Sequence, residues 1–302
     1  MHASAKSSAD SAIIRRATLV GGGAIGLWST LALGTTLTGA VPPFLMVGLT
    51  FSVAAALMLA KWITAGERVT KKLVWPPRVW ALGIYGLFGY HALYFLALKT
   101  APAVEANLVN YLWPLLIVLF SALLPGERLH WFHVAGAALG LAGAAILTLG
   151  GGKLALSWDF ALGYGAALGC AVVWSSYSVL SRRFGEVPSD SVGGFCAATA
   201  VLGFAAHFLF EPALWPLGWQ WATVVALGLG PVGLAFYLWD HGMKRGDIRA
   251  LGALSYATPL LSTVLLILFG GGPLTWQVAA AAALIVGGAI LAAGDLWRGR
   301  KA

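Results

Sequence analysis

Long apolar runs alternate along the chain with short breaks that carry charge, proline or glycine. Ten runs match the length of about 20 residues that crosses a hydrocarbon core as a helix: Ala17 to Thr38, Val41 to Ile63, Val79 to Leu98, Pro102 to Leu124, Trp131 to Leu149, Trp158 to Leu180, Val192 to Phe210, Trp219 to His241, Ala250 to Phe269 and Thr275 to Leu296. The pattern predicts an all-α integral membrane protein with ten transmembrane helices.

The breaks fix a direction. With ten crossings, one side of the membrane receives Lys6, Arg15 and Arg16, then Lys61, Arg68, Lys71, Lys72 and Arg78, then Arg128, then Arg182 and Arg183, then Lys244, Arg245 and Arg249, and last Arg298, Arg300 and Lys301. Only Lys99 and Lys153 fall on the other side. Basic residues collect in the cytoplasm, so both termini are expected there. One crossing more or fewer would scramble the alternation.

Composition agrees. The 302 residues are 59% hydrophobic and 10% charged, with a mean hydropathy of +0.83, whereas a soluble domain is about one quarter charged. The net charge of +8 comes from clusters between apolar runs and forms no basic stripe of the kind a nucleic-acid face requires, so no nucleic-acid partner is expected. Cys170 and Cys196 both lie inside apolar runs and read as packing residues, with no metal-ligand spacing. The segment from Met1 to Arg16 lacks the pattern of a cleaved secretory signal and is expected to be retained.

A shift of 145 residues lays Tyr111-Leu-Trp-Pro114-Leu-Leu on Tyr256-Ala-Thr-Pro259-Leu-Leu. The match continues through Gly126, Leu129 and Trp131 on Gly271, Leu274 and Trp276, and through Gly143-Ala144 on Gly288-Ala289. Upstream, Lys99 meets Lys244, and Trp28-Ser29 meets Trp174-Ser175 at a shift of 146. Residues 1–152 and 153–302 thus read as two copies of five helices. An odd number of crossings forces the copies to enter the membrane from opposite sides, and such inverted repeats are a recurring plan of secondary transporters.

Pro114 and Pro259 fall near the middle of the fourth and ninth runs. Each removes the hydrogen bond to the carbonyl four residues back, that of Asn110 or Ser255, so both helices are expected to bend beside a polar side chain and a tyrosine. Matched interruptions in two halves point to a transport site and its hinges. The bland alternative is a structural kink, since proline is common in membrane helices.

Aromatic residues crowd the same helices. Tyr90, His91 and Tyr94 share a sector of the third run, Tyr111 and Trp113 lie on the fourth, Trp174 and Tyr177 on the sixth, Tyr237 on the eighth and Tyr256 on the ninth. With Asn110 and Ser255 they are the candidate substrate-binding residues, forming an aromatic cavity for an amphipathic solute; packing against neighbouring helices is the competing role. The many tryptophans near run ends read as interfacial belts. His91 is the best-placed ionisable group, able to serve a proton-coupled step or to sit hydrogen-bonded in the core. Asp240 is expected to pair with nearby Lys244 or Arg245, and Glu105 to meet a substrate ammonium or pair with Lys99. His207 receives no assignment.

The chain has no His-Glu-x-x-His, Gly-x-Ser-x-Gly or P-loop motif, so enzyme activity is not expected, and no catalytic residue, metal or cofactor is assigned. The Gly21-Gly22-Gly23 run reads as close helix packing. A facilitative pore is the remaining alternative, disfavoured by the lack of charged rings.

The residues Tyr111-Leu-Trp-Pro114 with Gly126-Glu127-Arg128, and Trp239-Asp-His-Gly-Met-Lys-Arg-Gly-Asp247 leading into Leu254-Ser-Tyr-Ala-Thr-Pro259, resemble the drug/metabolite transporter (EamA) superfamily, and within it the YddG-type aromatic amino acid exporters. The resemblance covers essentially the whole chain, although the second half has Gly272-Pro273 where the first has the Glu-Arg pair. It implies ten helices, cytoplasmic termini, and export of aromatic amino acids, with methionine, threonine or paraquat-like compounds as further solutes. It also implies a central cavity at Tyr90, His91, Tyr94, Tyr111, Trp113, Trp174 and Tyr256. A lipid bilayer and a small-molecule substrate are the expected partners, and a monomer the expected assembly.

Overall fold

The computed structural model describes residues 2–150, 152, 157–270 and 274–294, with side chains from residue 11 onward, and every regular element among them is a helix. Among the described residues, nine helical stretches are long and apolar enough to cross a membrane: α1 (Ser11–Thr36), α2 (Pro43–Thr64), α3 (Pro77–Thr100), α4 (Ala103–Ser121), α5 (Trp131–Leu149), α6 (Trp158–Phe184), α7 (Ser189–Phe210), α8 (Gln220–Arg245) and α9 (Ile248–Phe269). A tenth apolar helix, α10 (Trp276–Ala292), is shorter at 17 residues. The junction expected after residue 152 borders residues 153–156, which lie outside the described residues together with Lys153, Gly271 to Pro273, Trp297, Arg298, Arg300 and Lys301.

The apolar runs locate these helices well because lipid leaves no partner for an unpaired backbone group, so each crossing closes its own hydrogen bonds. The largest offset is at the start, where helix extends back from Trp28 to His2. Polar residues there end a hydrophobic run without ending a helix, since Ala, Lys and Arg are good helix formers.

Small residues allow close approach of the helices. They pack chiefly as α5 on α10, α2 on α7, α3 on α6, α1 on α8, α4 on α6 and α2 on α8, with α4 also meeting α9. At the α1–α8 crossing, a Cβ on Gly21 would lie 2.8 Å from the Gly242 Cα. Of the first glycine run, Gly21 and Gly23 therefore serve packing, while a Cβ on Gly22 would meet nothing within 4 Å.

Five crossings are interrupted, α1 among them, where the helix pauses at Ser29 and Thr30. α4 breaks between Asn110 and Trp113, and α9 between Leu254 and Ala257, close to the expected prolines. Within α3 and α8, residues Tyr85–Gly89 and Gly228–Leu234 widen into π-helical turns, the second containing Pro231. Such turns redirect the side chains that follow and recur at functional sites. Here they precede Tyr90 and Ala235, and so aim the aromatic second halves of α3 and α8 inward.

Candidate functional site

A cavity of about 790 Å³ lies among α1, α2, α3, α4, α6, α8 and α9. This is within the ~300–1,000 Å³ range of small-molecule sites. Its mouth is rimmed by Thr38, Gly39, Val41 and Pro43 between α1 and α2, and by Leu98 and Lys99 at the end of α3.

Indole rings make the floor. Trp28 stands where α1 pauses at Ser29 and Thr30, and its Nε1 donates to the Pro231 carbonyl at 3.0 Å, inside the π-turn of α8. Its ring meets Trp174 edge-on at 5.7 Å, Trp113 at 6.5 Å and Trp239 at 5.1 Å. Trp113 opens the second half of α4, so the break in that helix delivers it to the cluster. Trp239 sits beneath the floor, buried, with Nε1 donating to Ser178 Oγ at 3.0 Å. Phe51 and Phe236 stack at 5.6 Å and complete the apolar side. Aromatic pairs in edge-on and offset geometry add ~0.5–1.5 kcal/mol each beyond area burial, so the floor is rigid.

The facing wall is polar but neutral. His91 Nδ1 donates to the Leu87 carbonyl at 2.7 Å, which leaves Nε2 as an acceptor. Tyr94 donates to Asn107 Oδ1 at 2.6 Å, and Asn110 Nδ2 donates to the Tyr90 hydroxyl at 3.2 Å. Tyr90 and Tyr94 stack with centroids 5.9 Å apart. Thr258, Pro259 and Ser262 contribute from α9.

Eight of the expected site and hinge residues share this cavity: Tyr90, His91, Tyr94, Asn110, Tyr111, Trp113, Trp174 and Pro259. Five do not line it. Tyr177 is buried with its ring against Gly86, where a Cβ would lie 2.2 Å from the Tyr177 Cγ. Tyr237 is half-buried on another face of α8. Ser255 is buried and donates back to the Leu251 carbonyl at 2.7 Å. Pro114 is buried in α4, its carbonyl facing Gly252 of α9.

Tyr256 departs furthest from expectation. It is fully buried, and its hydroxyl donates to the Tyr111 carbonyl at 3.0 Å while accepting from the Leu115 N–H at 3.2 Å. In an unbroken helix that N–H would bond that carbonyl directly. The Tyr256 hydroxyl is therefore inserted into the ladder of α4 at its break. Tyr111, which matches it at the 145-residue shift, lines the cavity instead.

The candidate substrate-binding residues named from the sequence do not include Trp28, Phe51, Phe236 or Asn107, although Trp28 and Phe236 stand on helices expected to wall the cavity. The Trp28-Ser29 match to Trp174-Ser175 was a signal for the first; the two phenylalanines carry none that separates them from lipid-facing ones. His207 gains a partner: its Nδ1 lies 3.1 Å from Glu211 Oε2, and that carboxylate accepts from the N–H groups of Phe44 (2.9 Å) and Leu45 (3.1 Å) at the start of α2.

The end opposite the mouth is sealed by charge. Asp190 accepts from Lys61, from Lys72 at 3.0 Å and from Trp62 Nε1 at 3.2 Å, and Glu67 pairs with Lys72 at 2.8 Å. The hydrogen bond from Lys72 holds the Glu67 carboxyl below its ordinary pKa, and the bond to Glu67 raises that of Lys72. Lys244 pairs with Asp240 at 2.8 Å, as expected. Arg249 donates to the Arg128 carbonyl at 2.7 Å and lies 3.3 Å from Asp247 and 3.5 Å from Glu127. These contacts tie α2 to α7 and the α4–α5 turn to the start of α9.

Membrane-length helices around a solute-sized cavity, open at one end and sealed at the other, define a multi-pass membrane transporter. The chain belongs to the EamA-like transporter family, which matches residues 17–149 and again residues 161–294. It is 58% identical over 279 residues to the aromatic amino acid exporter YddG of Ancylobacter novellus, covering 91% of this chain and 96% of that protein. It is 26% identical over 299 residues to the aromatic amino acid exporter YddG of Escherichia coli, covering 92% and 96%. A crystal structure with 57% identity superposes with a TM-score of 0.88, covering 92% of this chain and 97% of that one.

Proposed function

We propose that the protein exports aromatic amino acids across the inner membrane by alternating access, using ten crossings arranged as two inverted five-helix repeats with both termini in the cytoplasm. The observation that carries this reading is the cavity floor of Trp28, Trp113 and Trp174 facing a neutral polar wall. Indole and phenyl rings stack on such a floor, and the hydroxyls, the Asn107 and Asn110 amides and His91 Nε2 offer hydrogen bonds to an ammonium or carboxylate. The names of the two exporters above support the same solute class.

Several features support the repeat. The family matches the chain twice, once in each half. The π-turns at Tyr85–Gly89 and Gly228–Leu234, and the breaks after Asn110 and Leu254, recur within a few residues of the 145-residue shift that aligns Tyr111 with Tyr256. The packing partners obey the same exchange, since α1 on α8 becomes α6 on α3 when the halves are swapped. The distribution of Lys and Arg makes the sealed end cytoplasmic, so the cavity faces outward here. Residues 1–152 and 153–302 then form the two rocking units, with Pro114 and Pro259 at the bends.

The test is efflux from proteoliposomes holding the purified protein and labelled phenylalanine or tryptophan. Saturable flux, accelerated by unlabelled solute on the far side and reduced in Trp174→Ala, is expected. Flux no greater than from protein-free vesicles would overturn the reading, and flux that never saturates would assign a pore. The same vesicles with and without an imposed pH gradient, and with His91→Ala, report whether protons are coupled.

A further inference from the structure

The cavity is neutral except at its mouth. Of the side chains that line it, only that of Lys99 carries a full charge, and no Asp or Glu is among them. Lys99 stands in the last turn of α3, where the negative end of the helix dipole accommodates a cation. Among the described residues its ammonium makes no ion pair or hydrogen bond, and Glu105, the nearest carboxylate in sequence, neither pairs with it nor lines the cavity.

The lysine 145 residues later shows what is unusual here. Lys244 is buried at the sealed end, its Nζ 2.8 Å from Asp240 and 2.9 Å from the Val187 carbonyl, so its charge is neutralised. The residue standing to Lys99 as Asp240 stands to Lys244 is Phe95, itself part of the cavity wall. One lysine of the matched pair is thus compensated within its own helix, while the other leaves a single positive charge over an apolar floor. Low-dielectric walls focus the field of such a charge into the cleft. Lys99 is exposed at the mouth and lies nine residues after Tyr90 on α3, about 13 Å along the axis. A phenylalanine whose ring rests on the tryptophan floor therefore extends its carboxylate toward the ammonium.

We propose that Lys99 is the charge filter of the cavity: it draws the carboxylate of the solute to the mouth and weakens, without excluding, the binding of aromatic cations, so that paraquat-like compounds rank below aromatic amino acids. This rests on the reading that aromatic amino acids are the solutes. The filter adds an orientation, carboxylate toward the mouth and ring toward Trp28, Trp113 and Trp174, and makes a missing carboxylate more damaging than a missing ammonium.

Two analogues separate these effects, 3-phenylpropionate, which lacks the ammonium, and 2-phenylethylammonium, which lacks the carboxylate. Binding of each to the detergent-purified full chain is read by quenching of tryptophan fluorescence, alongside phenylalanine. Wild type is expected to favour 3-phenylpropionate. The ratio of the two dissociation constants should fall about three- to tenfold in Lys99→Met and further in Lys99→Glu, hold in Lys99→Arg, and shrink in wild type as salt is raised. A ratio unmoved in Lys99→Glu, or both analogues weakened equally, would overturn the filter. Phenylalanine left unbound while the analogues bind with the expected ratio would remove the amino acid reading and keep the filter. If no aromatic probe binds, both fall.

Discussion

Replacing Tyr256 with phenylalanine tests the most unusual contact in the structure. The ring stays, packed against Gly140, and only the hydroxyl between the Tyr111 carbonyl and the Leu115 N–H is lost. Two hydrogen bonds at about 1 kcal/mol net each disappear, and a buried carbonyl and N–H left unpaired cost about 1–3 kcal/mol apiece. Part of that cost returns if α4 tightens enough to bond Leu115 to Tyr111 directly, so a net loss of about 2–4 kcal/mol is expected. At about 2 °C per kcal/mol for a chain of this size, the midpoint of thermal denaturation in detergent should fall by about 4–8 °C. Efflux should change by the same factor for phenylalanine and tryptophan, because the hydroxyl touches helix and not solute. An unchanged midpoint with a raised KM would refute this and return Tyr256 to the solute-binding residues that the sequence alone assigned it to.

Gly86→Ala should destabilise by about 1–3 kcal/mol, as overpacking does, because the added methyl meets the Tyr177 ring; a midpoint equal to wild type would show that the ring has room to move, and Tyr177→Leu in the same chain should recover part of the loss. Asp247 caps Ile248–Leu254 by accepting from the N–H groups of Arg249 and Ala250. Burial raises its pKa, but the Arg249 charge and those two N–H groups together hold it below the ordinary carboxylate value. Its contribution to stability is therefore present above pH ~4 and is lost as pH falls through the lowered folded value. The acid limb of the midpoint against pH should be shallower in Asp247→Asn, and identical limbs would show that the carboxylate titrates alike in folded and unfolded protein.

The architecture was legible where lipid physics constrains the sequence. A helix must be apolar over its crossing, and charges must gather at its ends, so runs and breaks read directly as α1 to α9. The interruption of α4 was legible because a proline cannot donate. Its consequence was not, since the group that repairs the ladder, the Tyr256 hydroxyl, arrives from a helix 141 residues away from Leu115. The π-turn at Tyr85–Gly89 was also invisible: Tyr-Gly-Leu-Phe-Gly has no breaker stronger than glycine, and the ring that needs Gly86 bare belongs to α6. Aromatic content alone could not separate Tyr90 and Tyr94, on the cavity, from Tyr177 and Tyr256, in the core, because all four lie on apolar helices.

Residues equivalent at the 145-residue shift nonetheless take opposite positions. Tyr256 and Lys244 are bonded and buried, whereas Tyr111 and Lys99 line the cavity or its mouth. The open end thus differs from the sealed end by where matched residues stand as much as by which residues they are. The match fails at the carboxylates. Asp190 and Asp240, which hold lysines at the sealed end, align with Leu45 and Phe95 at the open end. A closure of the mouth that exchanged the roles of the two halves would therefore need partners other than these ion pairs, with Lys99 left to find water, a backbone carbonyl or the carboxylate of the solute.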